Sequence, residues 1–224
     1  MALKTRAELL ADTVANMPTG VQGGTSAQDV RDAIAAVAAN APNYKDDGVY
    51  NVKSFGAVCD GVTDDSSAIA ACFAATPTGG TIIFPASTMP YICNASVFAA
   101  TAGVTIRGFG ATIKGPNGVL LGIQASGISI YGLTFDGAYA GGGSAAPGNW
   151  IGLVDIVAAS SVAIEDILIE RCHFNNAYAC GVRMAGNIDG VTFTKNRYSG
   201  NFIHVFGETS STYTFRNLDF YGNR

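Results

Sequence analysis

The feature that most constrains the fold of this chain is a repeated pattern of apolar residues in its second half. The unit reads apolar-x-apolar-x-x-apolar-x-apolar and is followed by a turn residue such as Asp, Asn, Ser or Gly. Clear copies start at Ile128, Ile167, Val191 and Tyr213, and a looser copy starts at Val104. Successive starts lie 24, 39, 24 and 22 residues apart. Each three-residue alternation places two apolar side chains on one face of a strand, so the unit predicts two short strands joined by a bend.

A pair of short strands repeated every 22 to 24 residues is typical of the coils of a parallel β-helix. A leucine-rich repeat would need a recurring Leu-x-x-Leu-x-Leu, and a left-handed hexapeptide helix would need a shorter coil. An ordinary β-sandwich with coincidental spacing is the remaining alternative. The 39-residue interval contains the glycine-rich stretch 141–148, which predicts a loop and an extra turn. In the copy that starts at Val191, Asn196 is a polar residue at an apolar position.

The chain divides into an N-terminal segment, residues 1–47, and a domain that spans residues 48–224. The first segment is rich in Ala and predicts two short amphipathic helices, each too short to be stable alone in water. In the second, Thr63 or Asp64 is placed to cap a helix that carries Ile69, Cys72 and Phe73 on one face.

Composition excludes several classes of protein. Charged residues make up only 13% and hydrophobic residues 48%, which argues against a disordered chain. The net charge of −4 argues against nucleic acid as a partner, because binding to phosphates needs clustered Lys and Arg. No apolar run is long enough for insertion into a membrane, and the charged N-terminus does not fit a signal peptide. The five cysteines include no CxxC pair, so free buried thiols are expected rather than a zinc site.

Three segments resemble the start of the pectate-lyase-like right-handed β-helix superfamily, in the branch common among phage tail spikes. They are residues 51–57 (NVKSFGA), 60–66 (DGVTDDS) and 79–86 (GGTIIFPA). The family pattern continues with Gly-x-Tyr, whereas this chain has residues 87–91 (STMPY), so the turn after the strand is altered. The resemblance implies an all-β, right-handed parallel β-helix preceded by a short helical segment. It leaves activity open, because the superfamily includes lyases, hydrolases and non-catalytic adhesins.

Residues 5–9 (TRAEL) and 25–31 (TSAQDVR) are similar to N-terminal segments of phage tail and fibre proteins. This resemblance implies that residues 1–47 attach the chain to other virion proteins. It also implies a homotrimer that is assembled in the host cytoplasm.

Four acidic residues are the candidates for catalysis: Asp155, Glu165, Asp166 and Glu170. Two carboxylates brought together by neighbouring coils can cleave a glycosidic bond by acid–base chemistry. The alternative is that they face solvent between apolar core positions. His173 alternates with two apolar neighbours and is expected to point outward, and Lys195, Arg197 and Arg183 belong to no catalytic motif.

Three aromatic residues are the candidates for glycan binding: Trp150, Tyr139 and Tyr178. Aromatic rings pack on the apolar faces of sugars, and loops between coils are suited to form the walls of a binding site. Local packing over the coil is the alternative for Trp150. Asp60, Asp64 and Asp65 form an acidic cluster whose spacing favours turns and a helix cap over a calcium site.

Together these features predict a phage tail spike or tail fibre protein that is anchored by its N-terminus and binds host surface polysaccharide. The alternative is a polysaccharide depolymerase, either a lyase or a glycoside hydrolase, on the same β-helix. An extracellular pectate lyase is disfavoured because the sequence lacks a signal peptide. No cofactor and no metal are expected. An uncapped last unit also predicts that the chain continues past Arg224.

Overall fold

A computed structural model describes residues 48–116, 118–139, 151–158, 162–208, 210 and 212–224. Tyr50–Arg224 form one compact unit. Its strands lie in three parallel sheets, and each coil adds one strand to each sheet. The chain is therefore a parallel β-solenoid, and the predicted fold class is confirmed. The N-terminal segment 1–47, with its predicted helices, lies outside the described residues.

The strands of sheet A are β1 (Val49–Asn51), β2 (Thr81–Ile83), β5 (Thr105–Arg107), β8 (Ser129–Tyr131), β11 (Ile164–Glu170), β14 (Ile188–Thr194) and β17 (Phe215–Tyr221). Those of sheet B are β3 (Tyr91–Ile92), β6 (Thr112–Lys114), β9 (Thr134–Asp136), β12 (His173–Asn175) and β15 (Arg197–Ser199). Those of sheet C are β4 (Val97–Ala99), β7 (Leu121–Ile123), β10 (Gly152–Val157), β13 (Cys180–Ala185) and β16 (Ile203–Gly207). Sheet A has the order β1-β2-β5-β8-β11-β14-β17, sheet B the order β15-β12-β9-β6-β3, and sheet C the order β16-β13-β10-β7-β4. Five coils follow one another, and a sixth begins with β17.

Inward-facing side chains stack in columns along the axis of the solenoid. In sheet A one column runs through Ile82, Ile106, Ile130, Ile169, Phe193 and Phe220. In sheet B the rings of Phe135 and Phe174 stack with centroids 5.4 Å apart, and Tyr198 continues the stack at 5.1 Å. The two halves of the predicted repeat are therefore the strands of sheets A and B. The third strand of each coil, in sheet C, was not predicted.

The long interval in the repeat does not contain an additional coil. β11 pairs directly with β8, so the two strands belong to successive coils. The extra residues are inserted between β9 and β10 of a single coil, and residues 140–150 of this insertion lie outside the described residues.

The last copy of the repeat is in a different register from the one predicted. Leu218 pairs with Val191 and Phe220 pairs with Phe193, so Tyr213 does not begin the equivalent unit. In the correct register Asn223 stands at the position of Asn196. Both positions follow a residue with positive φ, at the bend between sheets A and B.

Bends in the coils use residues that accept left-handed backbone. Asp166, Gly190 and Asn217 occupy equivalent positions in three successive coils, with φ of 56°, 70° and 47°. Glycine takes such angles without steric cost, and Asp and Asn tolerate them better than other residues do. These three residues lie within strands of sheet A. Two of the turn residues predicted to follow the repeat units, Asn176 and Gly200, also have positive φ, at 53° and 65°, and the prediction is confirmed there.

The N-terminal end of the solenoid is built from a short 3-10 helix, Val52–Phe55, and an α-helix, α1 (Ser66–Ala75). α1 buries Ile69, Cys72 and Phe73, as predicted. Its N-cap residue is Asp65, not Thr63 or Asp64.

The acidic cluster next to α1 organises its own loop. The Asp65 carboxylate accepts hydrogen bonds from the backbone N–H groups of Val58 and Cys59 at 2.7 and 3.3 Å. Asp60 accepts bonds from the backbone N–H groups of Val62 and Thr63. The cluster therefore has the turn-forming role that its spacing favoured.

All five cysteines are free and buried, as expected. Within the described ranges, no helix is both long and apolar enough to cross a membrane.

Candidate functional site

The outer face of sheet C carries a cluster of three charged side chains from three successive coils. Arg183 in β13 lies directly opposite Asp155 in β10, and Glu208 follows the end of β16. The Arg183 guanidinium donates a hydrogen bond from Nε to Asp155 Oδ2 at 3.1 Å, and its Nη2 forms an ion pair with the same oxygen at 2.8 Å. Its Nη1 donates to Glu208 Oε2 at 2.9 Å. One guanidinium in β13 thus joins two carboxylates from the coils on either side of it.

Asp155 is the buried member of this cluster. Val154 and Ile156 point into the solenoid, so the alternation of the strand directs Asp155 to the outer face, yet only 5% of the residue is exposed. Burial raises the pKa of the Asp155 carboxyl, because it disfavours the charged form, and the Arg183 guanidinium opposes this shift. The Gly152 backbone N–H also donates to Asp155 Oδ1 at 2.8 Å. Asp155 therefore does not face solvent, in contrast to the alternative considered for all four acidic candidates.

The other three acidic candidates lie on sheet A, not with Asp155. Glu165 and Asp166 are exposed, and Asp166 has left-handed backbone within β11. Glu170 is half-buried and forms ion pairs with Arg171 at 3.0 Å and Lys195 at 3.9 Å. The four residues therefore do not converge on one site.

Two of the three predicted glycan-binding residues lie together. The rings of Tyr139 and Tyr178 meet edge to face, with centroids 5.0 Å apart. Tyr139 follows β9 and Tyr178 precedes β13, so the pair lies where two neighbouring coils turn from sheet B towards sheet C. Both rings are half-buried. Trp150 lies outside the described residues.

A row of polar side chains continues from the tyrosine pair along the outer face of sheet B. The Asp136 carboxylate accepts a hydrogen bond from Asn176 Nδ2 at 3.0 Å. Ser199 Oγ donates to Asn175 Oδ1 at 2.7 Å and lies 2.8 Å from His173 Nε2. Burial lowers the pKa of His173, and the charge of Arg197 acts in the same direction.

Glu208 and Ser199 were not predicted as members of any site. Arg183 was considered only as a residue without a motif. The separations are 28 residues from Asp155 to Arg183 and 25 from Arg183 to Glu208, each close to the length of one coil. If the sheet C strand of each coil had been predicted, these intervals would have indicated that the three side chains are neighbours on successive coils.

This arrangement suits an extended, hydroxylated ligand. The tyrosines offer apolar rings with a polar group, and the adjoining sheets offer fixed donors and acceptors. The described part of the chain contains no group of three or more His, Cys, Asp or Glu side chains placed to hold a metal ion.

Comparison with known proteins supports this fold and identifies a matching protein family. A family model described as rhamnogalacturonase A/epimerase, pectate lyase-like, matches residues 49–224. A solved structure of a proposed glycosyl hydrolase from Parabacteroides merdae is similar, with a TM-score of 0.56 and 17% identity over 79% of this chain and 97% of that one. At this identity the similarity shows the fold alone.

Two further solved structures match more weakly. The ORF18 protein of Geobacillus virus E2 has a TM-score of 0.42 at 16% identity, over 91% of this chain and 46% of that one. The A-module of a mannuronan C-5 epimerase from Azotobacter vinelandii has a TM-score of 0.37 at 22% identity, over 78% of this chain and 56% of that module. No curated protein matches the sequence.

Proposed function

We propose that this chain, which belongs to the rhamnogalacturonase A/epimerase, pectate lyase-like family over residues 49–224, binds polysaccharide along the outer surface of its solenoid. The observation that carries the proposal is the pair of half-buried tyrosines, Tyr139 and Tyr178, at the corner between sheets B and C. The corner is continuous with polar side chains on sheet B and with the Asp155–Arg183–Glu208 cluster on sheet C.

The dimensions of this surface favour a chain of sugars over a single sugar. Tyr178 lies two residues before β13, and Arg183 is the fourth residue of that strand, so the two residues are at most about 17 Å apart. A polysaccharide can therefore contact the tyrosines and the charged cluster at the same time. The rings supply apolar contact, and the fixed polar groups orient the hydroxyls.

The biological setting that we propose is a phage tail spike or tail fibre. The supporting observations are the likeness of residues 51–57, 60–66 and 79–86 to phage spikes, and that of residues 5–9 and 25–31 to phage tail and fibre proteins. In this setting residues 1–47 attach the chain to other virion proteins and three copies form a homotrimer. The trimer is assembled in the host cytoplasm, and the solenoid binds the surface polysaccharide of the host.

A polysaccharide depolymerase is the second candidate function, favoured by the environment of Asp155. A carboxyl with a raised pKa can donate a proton to a departing glycosidic oxygen, and Glu208 provides a second carboxylate on the same surface. Asp155→Asn distinguishes the two functions. A lyase or hydrolase loses turnover in this variant, whereas a binding protein releases no shorter fragments even as wild type.

The proposal is tested by measuring the binding of the full chain to a panel of polysaccharides. The panel comprises polygalacturonate, alginate, purified bacterial capsules and lipopolysaccharide O-chains. The double variant Tyr139→Ala, Tyr178→Ala is expected to lose most of the affinity. The matched control is Tyr221→Ala, because Tyr221 is an exposed tyrosine on sheet A. No binding by the wild-type chain to any member of the panel contradicts the proposal.

Sedimentation of the full chain tests the proposed assembly. At micromolar concentration we expect a species of three times the 23.0 kDa chain mass. A monomer alone contradicts the trimer and leaves the polysaccharide site to be judged by the binding assay.

A further inference from the structure

An aromatic ring leans across the outer face of sheet C, next to the charged cluster. In β4 the side chains of Val97 and Ala99 are buried, and Phe98 points outward with 49% of its surface exposed. Phe98 pairs with Gly122 of β7, and Gly122 in turn pairs with Asp155 of β10. The three residues form one row across three adjacent strands.

The ring of Phe98 occupies the space above Gly122. A Cβ atom at position 122 would lie 2.5 Å from Phe98 Cδ1 and 2.7 Å from Phe98 Cε1. Such distances are far inside van der Waals contact, so the ring takes this position because residue 122 has no side chain. Gly122 is buried beneath the ring, whereas half of Phe98 remains open to solvent.

The row continues from the ring to groups that can form hydrogen bonds. Beyond Gly122 lie Asp155 and Arg183, at a strand spacing of about 4.8 Å. A guanidinium has five N–H groups, and among the described residues those of Arg183 meet only Asp155 and Glu208, through Nε, Nη1 and Nη2. The remaining N–H groups can serve a ligand, on a side chain that is partly exposed.

We propose that Phe98 is the platform of a sugar-binding subsite, on which a pyranose lies with its apolar face and points a hydroxyl at Arg183. The inference rests on the proposed function and adds a residue and a ligand class to it. The ligand class is a pyranose with a continuous apolar C–H face.

Gly122→Ala provides a sharp test because it retains the phenyl ring and moves it. The atoms that the new Cβ would meet are at the far end of a flexible side chain, so the ring can turn outward and the fold is retained. We measure the Kd for the panel polysaccharide that the wild-type chain binds most tightly. Gly122→Ala and Phe98→Ala are each expected to raise it about tenfold, and Phe98→Trp is expected to leave it within about threefold.

Two controls separate the subsite from general effects on the surface. Phe109→Ala removes an exposed phenyl ring that lies outside sheet C, and Gly118→Ala adds a Cβ with only one ordinary contact, at 3.6 Å. Both are expected to retain the wild-type Kd.

The outcomes distinguish this inference from the proposed function. If the Tyr139→Ala, Tyr178→Ala variant loses affinity while Phe98→Ala or Gly122→Ala retains it, the subsite is overturned and polysaccharide binding stands. If the wild-type chain binds no polysaccharide, both are overturned. If Gly122→Ala fails to fold, the subsite is tested by comparing the Kd of Phe98→Ala with that of Phe98→Trp.

Discussion

Asn196 Oδ1 accepts a hydrogen bond from the backbone N–H of Cys172 in the preceding coil, at 2.8 Å. The same side chain donates from Nδ2 to the carbonyl oxygen of Ile169 at 2.8 Å. Asn223 repeats both bonds one coil later, accepting from the Asn196 N–H and donating to the Phe193 carbonyl, each at 2.9 Å. Asn196, the residue that interrupts the apolar pattern, therefore links two successive coils and stabilises the bend between sheets A and B.

Asn196→Ala is expected to destabilise the fold by about 2–6 kcal/mol, because it leaves two buried backbone groups unpaired and each costs about 1–3 kcal/mol. Asn196 itself is fully buried, so water cannot replace the lost partners without a change of structure. Urea denaturation measures the loss. Asn223→Ala is the matched control and should cost less, because Asn223 is only half-buried. Equal losses of unfolding free energy in the two variants would contradict the claim that burial makes the Asn196 bonds the more important pair.

Gly115→Ala is expected to destabilise the protein by about 1–3 kcal/mol through overpacking. A Cβ at position 115 would lie only 2.0 Å from the carbonyl oxygen of Cys93 in the preceding coil. Because that atom is backbone, the stacking of two coils must shift. Thermal denaturation tests this against Gly118→Ala, whose melting temperature should match the wild type. An unchanged melting temperature for Gly115→Ala would show that the coils are not packed as closely as described.

Arg183→Met is expected to destabilise the fold by about 3–5 kcal/mol at pH 7, because it leaves the Asp155 carboxylate buried without its partner. Glu208→Gln is the control and should cost about 1 kcal/mol or less, because the Glu208 side chain is 41% exposed. Chemical denaturation at pH 7 compares the two variants.

The loss of unfolding free energy caused by Arg183→Met should become smaller as the pH falls from 7 towards 5. Without the guanidinium, burial raises the pKa of Asp155 further, so the native state binds a proton that the unfolded state does not. Protonation then stabilises the native state of the variant. A loss that grows on acidification would contradict the assignment of burial as the main cause of the shift.

His173 should titrate below the ordinary value of 6.5 in an NMR titration of its ring protons. Its pKa is lowered by burial and by Arg197, and Asp136 opposes them. Arg197→Gln is therefore expected to raise the pKa and Asp136→Asn to lower it. Since the native state binds fewer protons than the unfolded state, this group makes stability fall as the pH drops through the native pKa. The chain has two histidines, and His204→Gln assigns the signals. Shifts of the opposite sign would contradict these contacts.

The sequence predicted the columns of sheets A and B because the bend between these sheets has a nearly constant length. Ile130 and Phe135 of one coil repeat as Ile169 and Phe174 of the next. Sheet C was missed because the turn that leads into it varies. Six, fifteen, four and three residues separate the sheet B strand from the sheet C strand in the second to fifth coils. Because these turns differ so much in length, the residues of the sheet C strands do not recur at a constant interval in the sequence.

The charged cluster could not be predicted for the same reason. Asp155 and Arg183 become neighbours only through the register of β10 with β13, which both belong to sheet C. The tyrosine pair was easier to find, because Tyr139 and Tyr178 each follow a recognised unit of sheets A and B by a few residues. Asp155 is buried although it alternates with core residues along β10, and no pattern of apolar residues encodes this burial.

The most direct test of polysaccharide binding at this surface is oxidative footprinting of the tyrosines, read by mass spectrometry. The full chain is labelled by hydroxyl radicals with and without the panel polysaccharide that it binds most tightly. We predict that the polysaccharide protects Tyr139 and Tyr178 and leaves Tyr221, exposed on sheet A, fully reactive. Protection of Tyr221 with unchanged labelling of Tyr139 and Tyr178 would place the ligand elsewhere and contradict the account.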